Sequence, residues 1–161
     1  MTPPTFRPFQ SGDEAAFRDL NEAWIAQFFS LEAKDRDVLS DPATHILNPG
    51  GEIVMVILHD HAIGCCALLP MPDGQSFELG KMAIAETHRG NGIGKLLLAH
   101  VIERARQMGV KRLYLETSTK LPNAIRLYES HGFTHLPPDR VRKSPYARSN
   151  VYMELPISAR K

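Results

Sequence analysis

The sequence has few cysteines, few aromatic residues and no long apolar run. Of its 161 residues, two are cysteine and one is tryptophan, and aromatic side chains make up 7%. No apolar stretch approaches the roughly 18 residues that a membrane-spanning helix requires. The N-terminal residues also lack the apolar segment of a secretory signal peptide. We therefore expect no membrane partner and a cytoplasmic location.

The two cysteines are adjacent, at Cys65 and Cys66, within an apolar stretch. Neighbouring side chains of a strand point to opposite faces of the sheet, which argues against a disulfide between them. His59 and His61 have a spacing that could hold a metal ion, but no third ligand lies nearby in the sequence. The sequence therefore predicts reduced thiols, as in a reducing compartment, and no metal site.

Net charge is only +1, but it is unevenly distributed along the chain. Residues 1–80 carry 4 Lys/Arg and 12 Asp/Glu, whereas residues 81–161 carry 15 and 6. The basic half suits a polyanionic ligand, and the acidic half suits a cationic acceptor such as an amine. Nucleic acid explains the basic half less well, because the basic run at 140–143 is short and no aromatic residues alternate with its cations.

The stretch from residue 87 to 96 reads T-H-R-G-N-G-I-G-K-L and is followed by a helical pattern. Gly90, Gly92 and Gly94 leave the backbone amides unshielded by side chains. Arg89 and Lys95 flank them with positive charge, and the helix start adds unpaired N–H groups and its positive dipole end. The stretch predicts a site for a phosphate-bearing ligand.

The spacing of these residues distinguishes between types of phosphate loop. A P-loop is excluded, because Arg89 stands at its first glycine and Leu96 at its Ser/Thr position. A dinucleotide fingerprint is weakened, because Lys95 stands at its third glycine, although Glu116 lies near the position of a ribose-binding acid. The pattern that fits is R-x-x-G-x-G, from Arg89 to Gly94.

This loop resembles the pyrophosphate loop of the GNAT N-acetyltransferase superfamily. The stretch 77–84 resembles the strand that precedes the loop in that family, and 111–117 resembles its next strand. Residues 123–133 are similar to the family's N-A-x-x-L-Y-x-x-x-G-F helix ending. Together the three motifs span residues 77–133, in the order of the family.

The resemblance implies a mixed α/β fold. The expected sheet is mostly antiparallel, has a splayed parallel strand pair and is flanked by helices, within one domain over residues 1–161. Hydrophobic periodicity and turn residues indicate matching elements. We expect helices after Asp13, from a cap at Ser30, over 92–108 and over 123–131, and one further turn starting at 41–42. Strands are expected at 5–9, 53–58, 62–69, 76–84, 110–115 and 149–155.

The resemblance also implies acetyl-CoA as co-substrate. Its pantetheine arm would pair with the backbone of Met82, Ala83 and Ile84, and Asn123 would contact the same arm. The pyrophosphate would lie on the loop residues Arg89, Gly90, Asn91, Gly92, Ile93, Gly94 and Lys95.

Two residues are candidates for proton transfer. Tyr128 matches the tyrosine that gives a proton to the leaving thiolate in the family, and a tyrosine with an ordinary pKa holds its proton at neutral pH. Glu78 lies in the strand before the loop, where the family often places a catalytic glutamate that works through water. A bulge at Gly80 would change the face to which Glu78 points. Rival bases are Glu116, His88 and His131.

The acceptor is expected to be the primary amine of a small molecule or of an amino-acid-like compound. Candidate contacts are Trp24 and Phe28 on the first helix, and Tyr146 and Arg148 in the loop before the last strand. The arginine would bind a substrate carboxylate. Three alternatives stay open: acetylation of a protein N-terminus, acetylation of a lysine, and a non-catalytic acyl-CoA sensor. A homodimer is also left open.

Overall fold

A computed structural model describes residues 2–158, whose strands form one mixed sheet flanked by helices. In chain order the strands are β1 (Thr5–Pro8), β2 (Glu52–Leu58), β3 (His61–Pro70), β4 (Ser76–Ile84), β5 (Arg112–Thr117), β6 (Thr134–His135) and β7 (Val151–Pro156). The α-helices are α1 (Glu14–Phe28), α2 (Ala33–Ser40), α3 (Ile93–Gln107) and α4 (Pro122–Ser130). A π-helical segment covers Ala43–Leu47, and 3-10 turns cover Glu86–His88 and Pro138–Arg140.

The strand order in the sheet is β1-β2-β3-β4-β5-β7-β6. Within the described residues β4 and β5 form the one parallel pair, and the other neighbours are antiparallel. Helix α3 crosses over between β4 and β5, as a parallel connection requires. The predicted fold class, a mostly antiparallel sheet with one parallel pair, is confirmed.

Apolar residues fill both faces of the sheet. Helix α3 covers one face with Leu97 and Val101, and α1 and α2 cover the other with Phe17 and Leu39. Cys66 packs in the first cluster and Cys65 in the second, and both thiols are buried and unpaired. Their predicted opposite orientation is therefore confirmed. No helix in the range 2–158 has the length and apolar character needed to cross a membrane.

The predicted cap of the second helix is wrong. Helix α2 begins at Ala33 with Glu32 as its N-cap rather than at Ser30, because the side chain of Asp35 accepts a hydrogen bond from the Glu32 amide in a capping box. The two-residue strand β6 was not predicted, because so short a segment shows no alternation. A π-helical segment follows the expected extra turn at 41–42. The strand predicted at 76–84 has the bounds of β4, and the other elements predicted with bounds differ from the structure by at most two residues at either end.

Candidate active site

Strands β4 and β5 pair over three residues only and then diverge. The last registered pair is Glu78 with Tyr114. From residue 79 onward the edge of β4 that faces β5 has no strand partner in the described sheet. Backbone N–H and C=O groups on such an edge are available to the amides of a ligand. The segment Met82–Ile84 lies on this edge.

A β-bulge follows Glu78 on the same strand. Gly80 is paired with Ala67 and Ala83 with Cys65, so that two residues of β4 lie opposite one residue of β3. Lys81 takes the bulged position with φ +49°, a left-handed conformation that is uncommon for a residue with a side chain. The predicted bulge near Gly80 is confirmed.

The bulge interrupts the alternation of β4. Without it, residues 78 and 81 would point to opposite faces of the sheet. In the structure Lys81 reaches helix α2, where its Nζ lies 3.0 Å from the buried Asp35, and Glu78 lines a cavity on that same side. The bulge therefore places the carboxyl group of Glu78 and the ammonium group of Lys81 on the same face of β4, at one site.

The cavity lies at the strand split and is bounded by α1, α2, β4, β5, α4 and the loop before β7. It brings together six of the predicted site residues that are far apart in the sequence. These are Trp24, Glu78, Met82, Tyr128, Tyr146 and Arg148, the methionine being the cofactor-side residue among them. Phe28 is not part of the wall: its side chain is exposed, and the neighbouring Phe29 lines the cavity instead.

The carboxyl group of Glu78 is held in surroundings that favour its neutral form. Burial and the nearby charge of Glu116 raise the pKa of Glu78 to about 7, against the opposing effect of Lys81 and Lys34. Glu116 is kept in place by the Tyr114 hydroxyl, which donates a 2.8 Å hydrogen bond to it. A carboxyl group with this pKa exchanges protons at neutral pH, as a general base must.

Tyr128 projects from α4 into the cavity. Its ring packs edge-on against Phe133, with centroids 5.8 Å apart. No described residue exchanges a hydrogen bond with its hydroxyl, and burial together with the neighbouring Cys66 raises the pKa of Tyr128 above its ordinary value. The hydroxyl therefore keeps its proton and is free to donate it to a ligand.

A buried acid fixes the wall of the cavity opposite the sheet. The carboxylate of Asp35 accepts two hydrogen bonds from Arg148, at 2.8 and 2.7 Å, and one from Lys81. Burial would by itself raise the pKa of Asp35, but hydrogen bonds from Arg148, the Glu32 amide and Lys81 hold it at about 2. The guanidinium of Arg148 is thus already paired inside the protein.

The sequence interpretation missed Asn21 of α1, which lines the same cavity and is 1% exposed. Its Nδ2 donates to the Phe17 carbonyl at 3.0 Å and to the Cys65 sulfur at 3.3 Å. The carbonyl partner fixes the orientation of the amide, because Oδ1 cannot donate. No described group donates to Oδ1, which leaves a hydrogen-bond acceptor for a bound amine.

The glycine loop supplies amides at the start of α3. Gly90 and Gly92 adopt φ values of +82° and +79°, and Gly92 is the N-cap. The first amide of α3 that donates to a backbone carbonyl is that of Leu96, which bonds Gly92 at 3.2 Å. The amides between these residues have no acceptor in the described chain. This arrangement fits an anionic group at a helix N-terminus.

Two predicted cofactor residues have partners within the protein. Arg89 donates to the Ile84 carbonyl at 2.8 Å and to the Gln27 side chain, so that its guanidinium braces the loop against α1 and β4. Asn123 lies exposed in the first turn of α4, outside the cavity wall, and accepts a hydrogen bond from Arg126.

The rival bases differ in their positions. Glu116 lines the cavity. His88 contacts Thr87 at 3.0 Å, and His131 contacts the Leu127 carbonyl at 3.0 Å. Neither histidine lines the cavity. Of the candidate bases, only Glu78 and Glu116 therefore lie at the strand split.

Comparison with known proteins gives this site its context. Residues 14–133 match the model of the acetyltransferase (GNAT) family. The chain belongs to this family. Over 119 residues it is 39% identical to a protein of Escherichia coli K12 named as an uncharacterized N-acetyltransferase, YjgM, with 70% of this chain and 71% of that protein covered. Over 90 residues it is 33% identical to the amino-acid acetyltransferase of Yersinia enterocolitica, a match that spans 56% of this chain and 19% of that protein.

Solved structures of the family share the fold. A GNAT-family acetyltransferase from Staphylococcus aureus Mu50 superposes with a TM-score of 0.86 at 20% identity, covering 97% of this chain and all of that one. The N-acetylglutamate synthase of Neisseria gonorrhoeae, solved with coenzyme A and N-acetyl-glutamate, gives 0.71 at 18% identity, covering 98% of this chain and 36% of that one. The protein is therefore an acyltransferase of the GNAT family, a family that uses acetyl-CoA.

Proposed function

We propose that this protein transfers the acetyl group of acetyl-CoA to the primary amine of a small molecule, by direct attack of the amine on the thioester. The observation that carries the proposal is the cavity at the strand split. It is lined both by Glu78, a carboxyl group that ionises near neutral pH, and by Tyr128, a protonated hydroxyl without a partner among the described residues. Acetyl transfer to an amine needs one group that takes a proton and one that gives a proton.

The residues present fit acetyl-CoA. The edge of β4 over Met82, Ala83 and Ile84 has no strand partner and offers backbone groups to the amides of a pantetheine arm, although the Ile84 carbonyl already accepts one hydrogen bond from Arg89. The loop from residue 89 to 95 offers free amides to the pyrophosphate at the N-terminus of α3. Arg89 contributes by holding the loop in place, and Asn123 lies on the exposed side of α4.

The proton movements follow from the positions of the two groups. The acetyl-CoA thioester supplies the electrophilic carbon, to which the amine nitrogen forms a bond as the carbon–sulfur bond breaks. Glu78 takes the proton that the amine loses, directly or through water. Tyr128 gives a proton to the departing sulfur, and the free amides of β4 stabilise the negative charge on the carbonyl oxygen. The products are the N-acetyl compound and coenzyme A.

The acceptor is proposed to lie between Trp24 and Tyr146, above Glu78. These aromatic rings and the carboxyl groups of Glu78 and Glu116 suit the amino group of a small acceptor. The relative from Yersinia is named for amino acids, which supports an amino-acid-like acceptor in this cavity. Acetylation of a protein terminus or of a lysine would instead need the reacting chain to enter through the cavity mouth.

The glycine loop leads to a prediction about binding. Acetyl-CoA should raise the melting temperature, since a ligand that binds only the folded state stabilises it. Gly92→Asp should weaken acetyl-CoA binding at least about tenfold, because a carboxylate beside the pyrophosphate costs about 1 to 4 kcal/mol. Calorimetric titration measures the change in affinity.

Gly109→Asp is the matched control. Gly109 has φ +78° at the C-terminal end of α3, and a Cβ there would meet no atom within 4 Å, as at Gly92. The two variants share the same backbone strain, and only the one in the loop should lose affinity. Equal losses in both, or stabilisation by NAD and not by acetyl-CoA, would contradict the proposed cofactor site.

The pKa of Glu78 leads to a prediction about pH. Glu78→Gln should lower kcat/KM about tenfold near pH 7.5, where the carboxyl group is mostly ionised in the unmodified protein. The defect should shrink below pH 7, where the unmodified Glu78 is itself protonated. It should also shrink near pH 9, where more of the amine is already deprotonated. A defect of constant size from pH 6 to 9 would remove Glu78 from the role of base.

A further inference from the structure

Three cations surround one aromatic ring on the wall opposite the sheet. The ring is that of Tyr146. The guanidinium carbon of Arg148 lies 4.4 Å from its centroid, the Nζ of Lys81 lies 4.6 Å away and the Nζ of Lys34 lies 5.8 Å away. All four residues line the cavity. These three cations lie beside the proposed amine-binding site and would repel an acceptor that carries only positive charge.

The acids of α2 neutralise only part of this charge. Asp35 binds Arg148 through two hydrogen bonds, and Glu32 adds a contact at 3.4 Å. Lys81 shares Asp35 with the arginine. Lys34 has no hydrogen bond and no ion pair with any described residue. The positive charge left over is therefore that of the lysine at the cavity mouth.

The same cluster also has hydrogen-bond donors to spare. The Tyr146 hydroxyl accepts a 3.1 Å hydrogen bond from Lys81, and its own proton has no acceptor in the described chain. Burial raises the pKa of Tyr146 above its ordinary value, so the hydroxyl stays protonated. The Lys81 side chain is 10% exposed, and its ammonium uses two of three protons on Asp35 and Tyr146. The unused donors belong to a largely desolvated site.

The cations lie near the carboxyl group that is proposed as base. Lys81 and Lys34 both act on Glu78 electrostatically, and the bulge puts Glu78 and Lys81 on one face of β4. The cavity thus has the carboxyl groups of Glu78 and Glu116 on one side and the cationic groups around Tyr146 on the other. A ligand that complements both carries its two opposite charges only a few atoms apart.

We infer that the acceptor is a zwitterion, with a carboxylate close to its primary amine, and that Lys34, Lys81 and Tyr146 bind the carboxylate. The inference rests on the proposed acetyl transfer and narrows its acceptor class. It reassigns the role that the sequence suggested for Arg148, because the guanidinium of that residue is occupied by Asp35. Arg148 instead holds the loop that carries Tyr146 against α2.

The test compares acceptors that differ only in the carboxylate. The pairs are L-leucine with 3-methylbutylamine and L-phenylalanine with phenethylamine, each assayed with acetyl-CoA by thiol release. The unmodified protein should acetylate the amino acids with kcat/KM at least about tenfold above that of the matching amines. Lys34→Met should raise KM about tenfold for the amino acids and change KM for the amines less than twofold. Tyr146→Phe should act in the same direction.

Arg36→Met is the control, since Arg36 is an exposed cation on the same helix that does not line the cavity. An unchanged melting-temperature shift with acetyl-CoA shows that each variant is folded. Lys34→Arg, which keeps the charge, should retain most of the preference.

The outcomes separate this inference from the proposed function. If the amines are acetylated at least as efficiently as the amino acids, the proposed function stands and the inference of a zwitterionic acceptor is overturned. An equal effect of Lys34→Met on both members of a pair also overturns it. If neither class is acetylated, the proposed function fails, and calorimetric titration of the amino acids into the protein with coenzyme A tests the site alone. Binding that Lys34→Met weakens supports the inference, and no binding overturns it.

Discussion

Tyr128→Phe should lower kcat about a hundredfold while leaving acetyl-CoA affinity within twofold. The substitution removes one oxygen, and the ring can keep its edge-on contact with Phe133. The lost group is the proton donor for the departing sulfur, and a well-placed general acid contributes about 10²- to 10⁴-fold. Since the hydroxyl bonds no described residue, its removal leaves no partner unsatisfied and should change stability little.

Tyr152→Phe is the control for this prediction. The Tyr152 hydroxyl donates to the Ser149 carbonyl at 3.3 Å and does not line the cavity. Stopped-flow measurement of a single turnover separates the chemical step from product release. A single-turnover rate that is equal in Tyr128→Phe and in the unmodified protein would leave Tyr128 as a packing residue only.

Asp35→Asn should destabilise the fold by about 3 kcal/mol. Asp35 is fully buried and is the shared counter-charge of Lys81 and Arg148, whose side chains are 10% and 15% exposed. Removing one partner of a buried ion pair leaves uncompensated charge, which costs about 3 to 5 kcal/mol. Asp37→Asn, at an exposed position of the same helix, should change stability by less than about 0.5 kcal/mol. Urea denaturation measures both.

The pH dependence of stability follows from the same group. The folded-state pKa of Asp35 is about 2, below the ordinary value near 4. Its contribution is therefore fully present above about pH 4 and is lost as pH falls toward 2. Asp35→Asn should lack this component of the acid transition. Adding Lys81→Met to Asp35→Asn should recover part of the lost stability, and failure of both the acid and the double-variant predictions would show that the pair is not coupled.

The local parts of the site could be predicted from the sequence. The glycine loop depends on glycines at fixed spacing before a helix, and the structure has left-handed φ values at Gly90 and Gly92. The parallel pair follows from a helix between two strands. The bulge near Gly80 was indicated by a glycine inside a strand pattern. Each of these features arises from neighbours in the chain.

The charged wall of the acceptor cavity could not be predicted in this way. Asp35 and Arg148 are 113 residues apart, and their contact depends on how the loop before β7 lies on α2. Lys81 faces the cavity only because its backbone takes the left-handed bulge conformation, which the sequence would assign to Gly80. The same holds for Phe28 and Phe29, because a difference of one residue in where α1 ends determines which of the two rings faces the cavity.

The most direct test of the account is detection of acetyl transfer itself. The purified protein is mixed with acetyl-CoA and a panel of primary amines and amino acids, thiol release is followed, and mass spectrometry identifies the product. We predict equal amounts of free coenzyme A and of an N-acetylated acceptor, at a rate that falls about a hundredfold in Tyr128→Phe. Tight binding of acetyl-CoA without acetylation of any acceptor would contradict the account and identify the protein as an acyl-CoA sensor.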